Sequence, residues 1–155
     1  MNKKATVLLI EDNENDVMLM KSAMDKAHFS YEVKVVGDGE EAIEYLQGEE
    51  QYINRQKYPL PLAMILDLKM PRKGGLEVMA WKQNQPELSH IPVFVLTSSS
   101  RLQDVERAFE LGAHAFLIKP PSIEKLTEMM GTLNGWLKMN HFPVHPLGVE
   151  GAVTK

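Results

Sequence analysis

Short apolar runs recur along the chain, and segments with helical periodicity separate them. Four of these runs are almost continuously apolar and cover residues 6–10, 63–68, 93–97 and 115–118. Strands that are buried on both faces of a parallel sheet have this composition. A fifth run, 31–36, alternates between apolar and polar residues. This alternation favours a strand at the edge of the sheet.

Residues that begin and end helices lie between the apolar runs. The predicted capping residues are Asn13, Asp38 and Ser100, and the last helix is predicted to begin near Ser122. A further helix is predicted over 76–82, and Gly112 is placed to end the helix that Ser100 begins. Five strands that alternate with five helices predict an α/β fold, in which a doubly wound parallel sheet carries helices on both faces.

A chain of 155 residues accommodates one compact domain. We predict that residues 1–139 form this domain and that 140–155 are a C-terminal tail, which is either flexible or part of a dimer contact. The connection 47–61 is unusually long, and some helical structure is expected in it.

Composition excludes several classes of function. The chain has no cysteine, so disulfides, thiolate chemistry and cysteine-ligated zinc are excluded. Its net charge of −4 and the absence of a Lys/Arg cluster argue against nucleic-acid binding. No run approaches the length of a membrane span, and the N-terminus is too short and polar for a signal peptide. We therefore expect a cytoplasmic protein.

Polar residues follow the apolar runs at the points where the predicted strands end. Glu11 and Asp12 follow the first run, Asp67 lies in the 63–68 run, Thr97 ends the next, and Lys119 follows the last. Each has an alternative explanation; Glu11, for example, could simply cap a helix. Because the carboxyl ends of parallel strands share one edge of a sheet, we expect all five side chains to converge in one pocket.

Three neighbouring carboxylates repel one another, and Lys119 alone cannot balance their charge. A divalent cation is the natural remedy. Oxygen ligands without Cys or His favour Mg²⁺ or Mn²⁺ over zinc. A carboxylate in such a pocket can act as a nucleophile and form an aspartyl phosphate. Thr97 would then donate a hydrogen bond to a phosphoryl oxygen.

The motifs and their spacing across about residues 5–138 resemble the receiver domain of two-component response regulators, the CheY-like family. This resemblance implies the strand order 2-1-3-4-5. The pieces that match are Ile10-Glu11-Asp12, Leu66-Asp67-Leu68-Lys69-Met70-Pro71, Gly75, Val95-Leu96-Thr97-Ser98 and Phe116-Leu117-Ile118-Lys119-Pro120.

The resemblance also implies roles at the metal site. Asp67 is similar to the residue that accepts a phosphoryl group from a sensor histidine kinase. Asp12 and Asp67 would ligate Mg²⁺ (or Mn²⁺) directly, together with the backbone carbonyl of Lys69. Glu11 would bind the metal through a water molecule.

A second set of implied roles concerns the conformational switch. Lys119 would pair with the phosphoryl oxygens, and Thr97 would move toward the phosphoryl group. Phe116 occupies the aromatic position that moves with Thr97, although Tyr is common there. The bond between Lys119 and Pro120 is usually cis in the family. The phosphorylated domain would then signal to a separate, unknown downstream protein.

A finer resemblance is to single-domain regulators that serve phytochromes. Residues 13–17, residues 38–42 and the long connection support it. A bacterial phytochrome is therefore a candidate for the kinase. Such regulators often form homodimers, and the apolar contacts expected here would come from Trp136, Leu137, Met139 and Phe142. Equally, Trp136 and Leu137 could pack on the sheet of the same chain.

Two other functions compete with a phosphorylated receiver. A Mg²⁺-dependent phosphatase of the haloacid-dehalogenase kind also uses an Asp nucleophile, but it needs a second Asp two residues later, where this chain has Lys69. A degenerate receiver that binds partners without phosphorylation would not need the complete set of polar residues, because an unused acidic pocket costs stability. We therefore expect no enzymatic activity beyond Mg²⁺-dependent self-phosphorylation and autodephosphorylation.

Overall fold

The computed structural model describes residues 4–142 of the chain. The five strands and five helices alternate as predicted. They are β1 (Thr6–Ile10), α1 (Glu14–Lys26), β2 (Glu32–Val36), α2 (Gly39–Gln47), β3 (Ala63–Leu66), α3 (Gly75–Gln83), β4 (Val93–Thr97), α4 (Leu102–Glu110), β5 (Ala115–Ile118) and α5 (Ile123–Met139). Two short 3₁₀ turns, Glu50–Tyr52 and Pro86–Leu88, complete the regular structure of the described part.

The strands form one parallel sheet in the order β2-β1-β3-β4-β5, which confirms the predicted topology. Helices α1 and α5 pack together, while α3 lies between α2 and α4. The central strands β1, β3 and β4 are buried along their whole length. The core therefore lies on both faces of the sheet, as the continuous apolar runs predict.

The prediction that residues 115–118 are buried on both faces was wrong. β5 is an edge strand, its first three residues are only partly buried, and Ile118 is 45% exposed. An apolar composition shows that a strand faces a core, but it does not show whether a neighbour lies on each side. β2, the strand predicted at an edge, occupies the opposite edge.

The helix starts follow the predicted positions with one exception. Asn13, Asp38 and Ser122 each accept a hydrogen bond from a backbone N–H in the first turn of the helix that they precede. The cap predicted at Ser100 does not form, since α4 begins after Arg101 without a side-chain cap. Gly112 follows that helix with a φ of +96°, a conformation that glycine adopts without strain.

Two of the four residues named for a dimer contact belong to the core of the single chain, which for Leu137 is the alternative given above. Leu137 and Phe142 are buried, so their side chains pack inside the chain rather than on its surface. Trp136 packs edge-on against Phe94 with 5.3 Å between ring centroids, and Met139 is exposed. Most of the predicted tail, from residue 143 onward, lies outside the described residues. Within residues 4–142, no helix is both long and apolar enough to cross a membrane.

The long connection after α2 is ordered around three tyrosines and one arginine. Tyr45, Tyr52 and Tyr58 contact one another with ring centroids 4.9–5.9 Å apart. Arg55 donates hydrogen bonds to the carbonyl oxygens of Tyr45, Leu46 and Tyr58 at 2.8–3.0 Å. Arg55 thus satisfies the end of α2 and closes the connection, which contains the expected helical turn at Glu50–Tyr52.

Replacing Arg55 with Ala should lower the free energy of unfolding by about 2–3 kcal/mol, because three partly buried carbonyl groups lose a charged donor. Urea denaturation measures this change. Arg107→Ala is the matched control, since Arg107 forms only an exposed pair with Glu110, and it should cost less than about 0.5 kcal/mol. Equal losses for the two variants would show that Arg55 does not hold the connection.

Candidate functional site

The polar residues predicted at the strand ends meet at the carboxyl edge of the sheet. The backbone ladder extends past the strands and places them. The N–H of Glu11 donates to Val36 O, and the N–H of Asp67 donates to Ile10 O, both at 3.0 Å. On the other side, the N–H of Lys119 donates to Thr97 O at 2.8 Å. Each side chain therefore leaves the sheet at the same edge.

Glu11, Asp12 and Asp67 form an acidic cluster. Each offers one carboxylate oxygen, and these oxygens all lie within 4.8 Å of one another. Glu11 and Asp67 are 4% and 7% exposed, while Asp12 lies at the solvent side. A set of carboxylate oxygens that is open to water on one side suits a hard divalent cation, which prefers oxygen ligands and keeps some of its water.

Lys119 is the ammonium that faces this cluster. Its Nζ donates to Glu11 Oε1 at 2.7 Å and lies 3.5 Å from Asp67 Oδ2. It also donates to Asp16 Oδ2 at 2.7 Å. Lys119 thus faces three carboxylates, and Asp12 is a fourth acid nearby. The site keeps an excess of negative charge.

The excess charge and the burial shift the pKa of both Glu11 and Lys119. Burial raises the pKa of Glu11, and its hydrogen bond with Lys119 only partly offsets this rise. Burial alone would lower the pKa of Lys119, but the hydrogen bonds to Asp16 and Glu11 outweigh it and raise that pKa. Lys119 is therefore a permanent cation at the site.

Asp16 is the residue of this site that the sequence analysis missed. It lies in the first turn of α1, where an acid interacts favourably with the helix dipole. Asn13 Oδ1 accepts a hydrogen bond from the Asp16 N–H at 3.0 Å and so sets where the helix begins. That start directs the Asp16 side chain toward Lys119, a contact between residues 103 positions apart. No local sequence pattern reports such a contact.

Thr97 and Phe116, the predicted switch residues, lie on neighbouring strands. Thr97 is fully buried at the end of β4, and Phe116 is half-buried on β5. Behind Thr97, the Ser99 hydroxyl donates to Asp104 Oδ2 at 2.5 Å. This bond anchors the start of α4 in place of the predicted cap at Ser100.

The expected cis bond between Lys119 and Pro120 is not found. Residues 4–142 contain no cis peptide bond. The cis and trans forms before proline differ by only about 0.5–1 kcal/mol, so a motif does not decide between them.

The loop after Asp67 is tied to the start of α2. Gly39 donates its N–H to Lys73 O at 2.9 Å, and a Cβ at Gly39 would lie 2.4 Å from that oxygen. Arg72, which has a φ of +63°, forms an ion pair with Asp38. Lys69 lies exposed in this loop, and the metal-binding role of its carbonyl stays a prediction.

Fold and site together define a receiver domain. Residues 7–131 match the family model described as the response regulator receiver domain. The chain belongs to this family, whose members signal by phosphorylation in two-component systems. The family match and Lys69 at the position of the second Asp together disfavour a phosphatase.

Among the proteins similar to the chain are response regulators that it matches over almost their whole length. Response regulator Rcp1 of the cyanobacterium Synechocystis is 33% identical over 143 residues, which cover 92% of this chain and 95% of that protein. The crystal structure of the phosphorylated cyanobacterial phytochrome response regulator RcpA superposes with a TM-score of 0.82 at 31% identity, covering 92% and 99% of the two chains. The Mn²⁺-bound form of Rcp1 gives a TM-score of 0.79 at 31% identity, with 90% and 99% covered.

Lys119→Ala should destabilise the metal-free protein by about 2–4 kcal/mol at pH 7.5, because it leaves Glu11 buried without its cation. The loss should be smaller near pH 5. Burial raises the pKa of Glu11, so its carboxyl accepts a proton as the pH falls and then needs no counter-charge.

Urea denaturation in EDTA at the two pH values measures this loss. Lys34→Ala is the control, since Lys34 pairs with Glu32 at the sheet edge, and it should cost less than about 1 kcal/mol at either pH. A loss for Lys119→Ala that is independent of pH would contradict the proposed pairing with Glu11.

Proposed function

We propose that Asp67 accepts a phosphoryl group from a sensor histidine kinase and that the chain itself catalyses this transfer. One observation carries the proposal. The Asp67 carboxylate is 7% exposed, shares a cluster with Glu11 and Asp12, and lies 3.5 Å from the Lys119 ammonium. The Asp67 carboxylate therefore has a cation and two further carboxylates as its neighbours.

In the proposed reaction, an Asp67 carboxylate oxygen attacks phosphorus while the bond from phosphorus to the donor breaks. The product is an acyl phosphate on Asp67. Lys119 balances charge on the phosphoryl oxygens, and the Thr97 hydroxyl donates a hydrogen bond to one of them.

Asp12, Asp67 and the carbonyl of Lys69 would hold Mg²⁺ (or Mn²⁺), and Glu11 would bind it through water. Such a cation neutralises the acidic cluster and the charge that develops on the phosphoryl group. The donor set supports this assignment, because three carboxylate oxygens lie within 4.8 Å of one another. Asp12, which is exposed, keeps one side of the site open to an incoming phosphoryl donor.

The output is proposed to begin at Thr97 and Phe116. Thr97 is buried next to Asp67's strand, and Phe116 pairs in register with Val95 on β4. Movement of Thr97 toward a phosphoryl group would vacate space that the half-buried Phe116 ring can enter. A separate downstream protein would then bind the altered surface of β5 and α4.

The likeness to RcpA, a phytochrome response regulator by its description, supports a phytochrome-type kinase as the donor. We also propose that the protein acts in the cytoplasm. A homodimer would use the exposed Met139 and Trp136, since the other two predicted contact residues are buried.

Acetyl phosphate with Mg²⁺ should add one phosphoryl group per chain, as measured by intact mass. Asp67→Asn should abolish the adduct, and EDTA should reduce it for the parent protein. Asp104→Asn is the control, because Asp104 lies at α4 and contacts Ser99 rather than the cluster, and it should keep the adduct. An adduct of the same mass and yield on Asp67→Asn would defeat the assignment of Asp67.

A further inference from the structure

Asp16 has a place in this site that the proposed phosphorylation does not by itself explain. It lies on α1, outside the three-carboxylate cluster, yet its carboxylate accepts a hydrogen bond from Lys119 as short as that of Glu11, at 2.7 Å. The Asp67 carboxylate is 3.5 Å from the same ammonium. Hydrogen bonds of this type are usually 2.7–3.2 Å long, so Lys119 is held by its other two partners and only loosely by Asp67.

A lysine ammonium has three donors, but while two of them lie 2.7 Å from Glu11 and Asp16, the ammonium reaches Asp67 only at 3.5 Å. The outcome changes when Asp67 carries a phosphoryl group, which brings a charge of about −1.5 to −2. The strongest acceptor near Lys119 is then on Asp67. Lys119 must move toward it, and one of the two short bonds must weaken.

Burial decides which bond is given up. The Glu11 side chain is 3% exposed, so water cannot replace the lysine there. The Asp16 side chain is 34% exposed, so its carboxylate can be solvated when the lysine leaves. Breaking the bond between Lys119 and Asp16 therefore costs less free energy than breaking the bond between Lys119 and Glu11.

We propose that Asp16 is a positioning residue that withholds Lys119 from Asp67 in the unphosphorylated state and releases it on phosphorylation. This inference rests on the proposed function of Asp67. It implies that Asp16 lowers the stability of the phosphorylated form and shifts the equilibrium between the two forms toward the unphosphorylated one.

The test compares the beryllofluoride affinity of Asp16→Asn with that of the parent in Mg²⁺, since beryllofluoride mimics the phosphoryl group. Asparagine has the shape of aspartate but lacks the negative charge that holds Lys119, so Lys119 is freer to pair with the group on Asp67. The affinity of Asp16→Asn for beryllofluoride should therefore be about three- to tenfold higher than that of the parent. Asp16→Glu keeps the charge and should stay near the parent.

Glu14→Gln is the matched control. Glu14 is an acid in the same first turn of α1. Glu14→Gln therefore has the same net charge as Asp16→Asn and loses the same favourable interaction between an acid and the helix dipole. Its affinity should stay within about twofold of the parent, as expected for an exposed charge. An affinity for Asp16→Asn equal to that of Glu14→Gln, or weaker than the parent, would overturn the inference.

A spectroscopic measurement on the parent provides a second test. The ¹³Cγ chemical shift of Asp16 should change on addition of beryllofluoride, because its carboxylate loses its hydrogen bond from Lys119 and is hydrated instead. An unchanged shift would contradict the release of Lys119.

Failure of the parent to form any adduct would defeat the function of Asp67 itself. If the adduct forms on Asp67 but Asp16→Asn and Glu14→Gln bind beryllofluoride with equal affinity, only the role of Asp16 is defeated.

Discussion

Excess negative charge at one edge of the sheet is the constraint on which the site depends. Glu11, Asp12 and Asp67 share a volume only a few ångströms wide, and Asp16 reaches the same lysine. A single ammonium cannot neutralise four carboxylates. Two of them are almost completely buried, so water cannot do so either. The structure therefore stores an electrostatic cost that a divalent cation would relieve.

The rest of the fold can be understood as the support for this cluster. Pairing β1 directly with β3 places Asp67 beside Glu11 and Asp12, and the crossing order of the strands brings Lys119 to the same edge from β5. The loop after Asp67 is held by backbone contacts with α2, where Gly39 leaves no room for a side chain. The core supplies rigidity, because all three central strands are buried on both faces.

Much of this arrangement could be predicted from the sequence because it depends on local patterns. Apolar runs located the strands, alternation with helices implied a parallel sheet, and polar residues at the run ends located the site. The features that were missed depend on distant contacts. The partial exposure of β5, the burial of Phe142 and the bond between Asp16 and Lys119 are all set by tertiary packing, which periodicity does not record. The roles of Lys69, Thr97 and Phe116 in metal binding and switching come from the family resemblance and stay predictions.

The most direct measurement of the central claim is the melting temperature of Asp67→Asn in EDTA. If like charges crowd this edge of the sheet, the neutral amide removes repulsion and the variant melts above the parent, by an amount that shrinks when Mg²⁺ is added. A variant that melts at or below the temperature of the parent without metal would contradict the account.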